Sequence, residues 1–314
     1  MLNKELENNN YKIKKPKIIV ILGPTASGKT SLAVQIAKEF NGEIVSADSR
    51  QVYKGMDLGT SKDLDEYNIN GEKIPYNLID VADPKEVFDL AQYQEMAFTA
   101  INNILSRGKL PIIVGGSGLY LQAIVDNYNL SNVGANKVLR KKLEKKDVSK
   151  ILKKIKKLDQ DFFNSLNNSQ RNNKRHLIRY VEILKSKNKI GSQNESQYNS
   201  LIIGLTWPID ILRERIKQKL LLGLEQGMVE EVRNLHEHGL SWERLNSFGL
   251  EYRYIAEYLQ GKLEYDEMVE KLNIAIRQFA KRQISWFRRW EKQGAKINWL
   301  SKDNITTKVK EFIG

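Results

Sequence analysis

The sequence predicts an α/β fold, a parallel sheet built on a phosphate-binding loop with a helical lobe inserted into it. Three observations carry the prediction. The apolar run at 18–22 meets GPTASGKT at 23–30, and SLAVQIAKEF follows with Leu32, Ala33, Ile36 and Ala37 at helical spacing, giving strand, tight glycine turn and helix. The further apolar segments 43–47 and 109–114 end on Asp48 and on the pair Gly115-Gly116. Beyond Tyr120 the text becomes lysine-rich and helical, and a strand returns at Leu201. The core is therefore placed at 15–124 and 200–314, and a mostly helical insert at 125–199.

In the glycine turn, successive N–H groups and the helix N-terminus face one point, which suits two adjacent phosphates. Gly23, Pro24, Thr25, Ala26, Ser27, Gly28, Lys29 and Thr30 form the expected diphosphate cradle, with Lys29 over the phosphates and the Thr30 hydroxyl available to Mg²⁺. Residues 43–47 read as the second strand. Asp48 stands at its carboxyl end, the edge of an open parallel sheet where ligands bind. Residues 49–73 are polar and loop-like. A short third strand is expected at 76–81, a helix at 88–105, and a fourth strand at 109–114 running into GGSGLY. That strand ends on glycines instead of the aspartate that often holds Mg²⁺ through water, so a ligand can approach its backbone, and Ser117 supplies a hydroxyl.

The insert opens with the lysine-dense stretch 137–157, followed by a helix at 171–184 in which Arg175 and Arg179 sit four apart on one face. A polar linker is expected at 185–200, a strand at 201–205, and then long helices with Gly223 and Gly227 as local bends. The segment 247–259 interleaves aromatics with Arg253. In the last long helix, 268–290, Phe279, Gln283, Trp286 and Trp290 make one side, and Arg277, Lys281 and Arg288 line another. A final strand is expected at 295–300, with a short terminal helix after it.

The formal charge of +13, from 51 basic and 38 acidic residues, favours a polyanionic partner. The absence of cysteine excludes disulfides, thiolate metal sites and cysteine nucleophiles, and fits a cytoplasmic setting. The first fifteen residues lack the apolar centre of a secretion signal, and no run approaches a membrane span. His176, His236 and His238 form no obvious metal set. A phosphate loop facing a carboxylate admits two reactions: phosphoryl transfer from ATP by a small-molecule kinase, or alkyl transfer in which the loop holds a diphosphate leaving group.

The residues also resemble a known family. GPTASGKT, SADSRQVYKGMDLGTSK at 46–62, LIDVADP at 78–84, IIVGGSGLYLQAI at 112–124, the NN-x-x-x-LIR element at 172–179 and IRQFAKRQISWFRR at 276–289 are similar, in order, to the tRNA dimethylallyltransferases. The resemblance implies a nucleotide-kinase-like P-loop sheet domain with an inserted helical domain. It further implies transfer of a dimethylallyl group from dimethylallyl diphosphate to N6 of the adenosine 3′ of the anticodon, releasing diphosphate. Asp48 would be the base, with Lys29 and Ser117 sharing the catalytic site. Ser49, Arg50 and Gln51 would neighbour the flipped base, and Arg175, His176, Leu177, Ile178 and Arg179 would form a tRNA-contacting element; the side of the last long helix with Arg277, Lys281 and Arg288 is read as facing a phosphate backbone.

Ser117 stands where threonine is usual, Asn173 where aspartate is, and His176 where an arginine is. Tyr76-Asn77 replaces His-His, and GLEYR at 249–253 replaces G-Y-x-E. The expected partners are the tRNA anticodon stem-loop and dimethylallyl diphosphate, with Mg²⁺ as cofactor and the chain acting as a monomer away from membranes. An adenylate prenyltransferase would need neither insert nor basic helix, a kinase would leave that helix idle, and a non-enzymatic RNA-binding protein would not need Asp48 and Ser117 on one rim.

Overall fold

The computed structural model describes residues 14–130, 133–134, 136–186, 194–300 and 304–314. The chain divides into two compact units, one from residues 1–125 and 196–314, the other Asp126–Glu195. Residues 187–193 of the polar linker expected at 185–200, and the polar start of the chain through residue 13, lie outside the described residues.

In the larger unit, β1 (Lys17–Leu22) is buried along nearly its whole length, as a strand covered on both faces must be. After the glycine turn come α1 (Lys29–Glu39) and β2 (Gly42–Ser46). A single 3₁₀ turn (Leu64–Tyr67) leads into the small antiparallel hairpin β3 (Asn68–Ile69) and β4 (Glu72–Lys73). The third core strand is shorter than the sequence suggests. β5 spans only Tyr76–Asn77, because Leu78 at φ 64° and Asp80 at φ 57° turn the chain out of the extended region. α2 (Leu90–Ser106) begins at Asp89, whose carboxylate accepts from the Ala91 and Gln92 amides while the Gln92 side chain returns a bond, a reciprocal cap. β6 (Leu110–Gly115) and α3 (Gly118–Val125) complete the first half.

The smaller unit holds α4 (Lys137–Glu144), α5 (Val148–Leu158), α6 (Gln160–Ser165), α7 (Asn168–Asn172) and α8 (Lys174–Lys185). The larger unit then resumes with β7 (Asn199–Gly204), α9 (Ile209–Glu225), α10 (Met228–Glu237), α11 (Trp242–Phe248), α12 (Leu250–Leu259), α13 (Tyr265–Lys292), β8 (Ile297–Trp299) and α14 (Ile305–Ile313). Of the two expected bends, Gly227 at φ 101° separates α9 from α10. Gly223 instead stays inside α9, where a Cβ would stand 2.4 Å from the Met228 methyl, so its smallness serves packing.

Among the described residues, six strands form one parallel sheet in the order β5-β2-β6-β1-β7-β8. Ser46 pairs with Val114 and Leu22 with Gly115, so β2, β6 and β1 end almost level at one edge. The sheet packs between two apolar layers. One carries α2, α3, Phe287 and Trp290; the other carries α1 and Val309 of α14.

The smaller unit has its own core of Leu143, Ile151, Ile155, Leu166, Leu177, Ile178 and Val181. Two residues of the segment 175–179, expected to contact tRNA, belong to this core. Leu177 and Ile178 are buried and hold the helix to its neighbours, so that within 175–179 the exposed residues are Arg175 and His176. Arg179 is committed as well, donating to the Val133 carbonyl at 2.7 Å and to Glu182 at 3.2 Å. The buried Glu182 carboxylate also accepts from Arg140 Nε at 2.8 Å and Nη2 at 2.9 Å, and from the Asn136 amide at 2.9 Å.

Burial opposes ionisation of Glu182, but the bonds from Arg140, Asn136 and Arg179 outweigh it and hold its carboxyl below the usual range. A carboxyl depressed in the fold contributes stability above its unfolded-state pKa and loses it as pH falls through the folded value. Glu182→Gln should therefore cost about 3 kcal/mol at neutral pH, with the deficit shrinking in acid. Urea unfolding of parent and variant across pH measures both.

Candidate active site

The level ends of β1, β6 and β2 bring three loops together. The Ala47 amide donates to the Val114 carbonyl at 2.7 Å, and the Ser117 amide donates to the Ala47 carbonyl at 3.3 Å. At Gly115 a Cβ would stand 2.1 Å from the Ala47 oxygen, so this glycine, expected to admit a ligand, is required by the neighbouring backbone as well. Ser117 Oγ then accepts from the Ser49 amide at 3.1 Å, and the two hydroxyls lie 3.4 Å apart. Asp48 is fixed by its own turn, its carboxylate accepting from the Arg50 amide at 3.0 Å.

The glycine turn is braced from behind. Ala26 at φ 60° and Gly28 at φ 84° are left-handed, a conformation that disfavours the alanine. Its carbonyl accepts from Arg215 Nε at 2.8 Å, and the Ser27 carbonyl accepts from Trp207 Nε1 at 2.9 Å. Arg215 in turn lies 4.9 Å from the Trp207 ring centroid. With these carbonyls held from outside, and with the Thr25 amide donating to Gln283 Oε1 at 2.9 Å and the Ser27 amide to the Pro24 carbonyl at 3.3 Å, the remaining amides of the turn are left for an anion. The Ser27 hydroxyl is buried without a partner.

A cleft of about 420 Å³ opens beside the turn, lined by Gly28, Lys29, Thr30, Arg215, Gln218 and Lys219 among others. Lys29 donates to the Pro24 carbonyl at 3.4 Å. Burial lowers its pKa to about 8 against the opposing pull of Asp48, while Lys219 lowers it further and Asp63 raises it. Lys29 and Asp48 thus sense each other's charge across the sheet edge. Lys219 is paired with Asp63.

The loop after Asp48 is held more firmly than its polar composition suggests. The Gln51 side chain turns inward, accepting from Ser46 Oγ and donating to the Ser61 carbonyl, both at 2.9 Å. Lys62 is buried, with its ammonium on the Tyr53 carbonyl at 2.8 Å, on Asp57 at 2.6 Å and on Asp80. Glu231 accepts from the amides of Asp57 at 2.8 Å, Leu58 at 2.7 Å and Gly59 at 3.0 Å, and from the Tyr252 hydroxyl at 2.7 Å.

Arg50 pairs with Glu251 at 2.7 Å and lies 5.3 Å from the Phe279 ring centroid. Burial works against its charge, but Glu251 and Asp48 raise its pKa nonetheless. The GLEYR departure therefore has a structural use, since its Glu251 and Tyr252 brace this loop. Of the other departure, Asn77 donates to the Ile44 carbonyl at 3.2 Å, and Tyr76 packs edge-on to Tyr67.

On α13, Gln283, Phe287 and Trp290 are buried, whereas Phe279 and Trp286 are half-buried. Arg277 and Lys281 line a shallow apolar pocket with Ile209, Leu212 and Ile216. Arg288 is engaged with Glu291 at 3.0 Å and lies 4.3 Å from the Trp299 ring centroid. Among the histidines, His236 Nδ1 bonds the Leu240 carbonyl at 2.8 Å and His238 Nδ1 the Asn234 carbonyl at 2.7 Å.

Four residues of the site carry no local sequence signal: Trp207, Arg215, Glu231 and the bridging role of Gln283. They lie 180, 189, 172 and 258 positions from the loop atoms they hold. A bonding role over such a distance is visible only after folding.

Residues 51–290 match the family model described as IPP transferase. The chain belongs to the IPP transferase family. Among its relatives, this IPP transferase is 45% identical over 300 residues to a protein named tRNA dimethylallyltransferase 1 from Syntrophus aciditrophicus, covering 95% of this chain and 97% of the relative. It is 46% identical over 285 residues to tRNA dimethylallyltransferase 2 of Citrifermentans bemidjiense, covering 91% and 90%. The crystal structure of a full-length tRNA isopentenylpyrophosphate transferase from Bacillus halodurans matches with a TM-score of 0.68 at 34% identity, over 95% of this chain and 96% of that one. A eukaryotic dimethylallyltransferase acting on tRNA matches with a TM-score of 0.72 at 28% identity, over 86% and 69%. The enzyme class and the P-loop-type fold of this IPP transferase follow from these likenesses.

The Glu231 nest makes a local prediction. Bonds to a charged acceptor contribute roughly 1.5–3 kcal/mol each, so Glu231→Ala should speed amide exchange at Asp57, Leu58 and Gly59 by about tenfold or more. Hydrogen exchange followed by mass spectrometry checks it, with exchange in β1 as the unchanged reference.

Proposed function

We propose that this protein transfers a dimethylallyl group from dimethylallyl diphosphate to N6 of the adenosine 3′ of the anticodon in tRNA. The observation that carries this reading is the placing of Asp48 and Lys29 at one edge of one parallel sheet, on either side of β6 and the Ser117 turn, and joined electrostatically. The substrate class is that for which the tRNA dimethylallyltransferases similar to this chain are named.

In this reading, Thr25, Ala26, Ser27, Gly28, Lys29 and Thr30 cradle the diphosphate, and Arg215, bonded to the Ala26 carbonyl and lining the same cleft, adds charge beside the turn. The adenine amine attacks the first carbon of the allyl group. The bond from that carbon to the diphosphate oxygen breaks with its electron pair on the oxygen, where Lys29 offsets the growing charge. Asp48 takes the proton released from the amine. Ser49 and Ser117, bonded to each other, keep the Asp48 turn in place.

Among the described residues no group of three or more carboxylates or histidines is arranged to hold a metal ion. That suits Mg²⁺, which is often held by one or two protein groups and the substrate's own phosphates. The Thr30 hydroxyl, which lines the cleft, would provide the protein share, and the ion would neutralise the leaving diphosphate.

In this reading each unit contributes its own RNA contacts, Arg175 and His176 on α8 in the smaller unit, and Arg277, Lys281 and Arg288 on α13 in the larger. The substrate adenine leaves its stack to reach Asp48, which costs only a few kcal/mol in a single-stranded loop. No helix among the described residues is long and apolar enough to cross a membrane. The chain acts as a monomer in the cytoplasm.

Incubation with dimethylallyl diphosphate and unmodified tRNA, followed by nucleoside mass analysis, tests the reading directly; unmodified adenosine throughout would overturn it. Asp48→Ala should lower the single-turnover rate by roughly 10²-fold or more with tRNA binding little changed. Because burial sets Lys29 near 8, its ammonium is lost as pH rises through about 8. Donor affinity should fall across that window, and Lys29→Met should remove the pH dependence along with most of the affinity.

A further inference from the structure

Helix α13 meets the sheet edge at two successive points of the Gly116–Gly118 turn. At Gly118 a Cβ would stand 2.2 Å from the Trp286 ring, whose Nε1 donates to Gln122 Oε1 at 2.7 Å. At Gly116 a Cβ would stand 2.4 Å from Gln283 Nε2. The glycines therefore admit two side chains of one helix. Trp286 supplies apolar docking together with Phe287 and Trp290, which lie in the sheet's own core. Gln283 is different, a buried amide on a face otherwise filled by hydrocarbon.

Both ends of that amide are used. Gln283 Oε1 accepts from the Thr25 amide at 2.9 Å, and Nε2 donates to the Gly116 carbonyl at 3.0 Å. Thr25 is inside the phosphate-binding turn and Gly116 is next to Ser117. One side chain thus ties the anion cradle to the turn that positions Asp48. The other side of the helix carries exposed Lys281, Arg282, Arg288 and Arg289.

We propose that Gln283 is a positioning residue that sets the shape of the phosphate-binding turn relative to the Ser117 turn, so that donor binding depends on the same helix that presents the basic face. The proposal deepens the prenyl-transfer reading and rests on it for the identity of the anion. A buried amide that bonds two loops at once gains specificity because losing either bond strands a backbone group away from water. The helix does not need Gln283 to dock, since Trp286, Phe287 and Trp290 remain.

The test compares the parent with Gln283→Met, which keeps the shape and removes both bonds, and Gln283→Glu, which keeps the acceptor and makes the donor depend on a proton. Binding of inorganic diphosphate and of an anticodon stem-loop is measured by calorimetry, with the KM for dimethylallyl diphosphate from steady-state kinetics. Gln283→Met should weaken diphosphate binding and raise the donor KM by about tenfold, with stem-loop affinity within about twofold of the parent. Gln283→Glu should be equally weak near pH 8, where a carboxylate faces the Gly116 carbonyl. It should recover relative to the parent as pH falls to about 5, because the protonated acid donates as the amide did.

Parent-like diphosphate binding by Gln283→Met overturns the proposal, as does a Gln283→Glu to parent ratio that stays constant with pH. If the methionine variant fails to fold, the pH course of the glutamate variant decides alone. Amide exchange at Thr25 separates this proposal from the reading beneath it. Failure of the parent to bind diphosphate sinks the reading of the loop, whereas unchanged Thr25 exchange in Gln283→Met sinks the role of Gln283.

Discussion

The close approach of β6 to β2 governs the site. The Ala47 carbonyl lies where a side chain at position 115 would have to go, and the same oxygen accepts from the Ser117 amide. That contact fixes Ser117 against Ser49, and with it the turn in which Asp48 accepts from the Arg50 amide. Parallel pairing makes the contact useful, because it brings the carboxyl ends of β1, β6 and β2 to one edge and delivers three different loops to it. A residue larger than glycine at 115 would push the strand ends apart, and Asp48 would move with them.

Around that edge the protein uses long-range bonds to hold backbone that would otherwise be free. The left-handed Ala26 is held through its carbonyl by Arg215, the Thr25 amide by Gln283, and the amides of 57–59 by Glu231. Each of these partners comes from a helix C-terminal to the insert. The segment 200–314 therefore does more than complete the sheet; it sets the conformation of loops encoded near the start of the chain. Lys62 shows the same economy, since a buried ammonium is tolerable only where Asp57, Asp80 and the Tyr53 carbonyl surround it.

Electrostatics then give the site its polarity. Lys29, Arg215 and Lys219 line one cleft beside the helix N-terminus, and the Asp48 carboxylate stands at the same sheet edge on the far side of β6. Burial weakens the hold of Lys29 on its proton, and Asp48 partly restores it. A bound polyphosphate would strengthen it further, so the charge of the site is matched to an anion and is least comfortable without one. The basic excess of the chain is distributed unevenly over function: Arg50, Arg140 and Arg179 are consumed in internal ion pairs, while Lys281 and Arg175 remain exposed.

By itself the sequence determined the phosphate loop, the strand that precedes it, the position of Asp48 at a strand end, and the lysine-rich helical segment. These features are local, and spacing along the chain is enough to express them: an apolar run of strand length, glycines where the backbone must turn, and apolar positions at helical period. Tertiary structure decided which polar residues serve that loop. Leu177 and Ile178 share a helix with Arg175 and His176, yet only folding shows that they face a core. Gln283 stands among residues of helical period on a half-apolar face, and nothing in that pattern marks it as the partner of Thr25. The reason is physical. Secondary structure answers to neighbours three or four residues away, whereas a hydrogen bond is satisfied by whatever the fold brings within about 3 Å, at any distance along the chain.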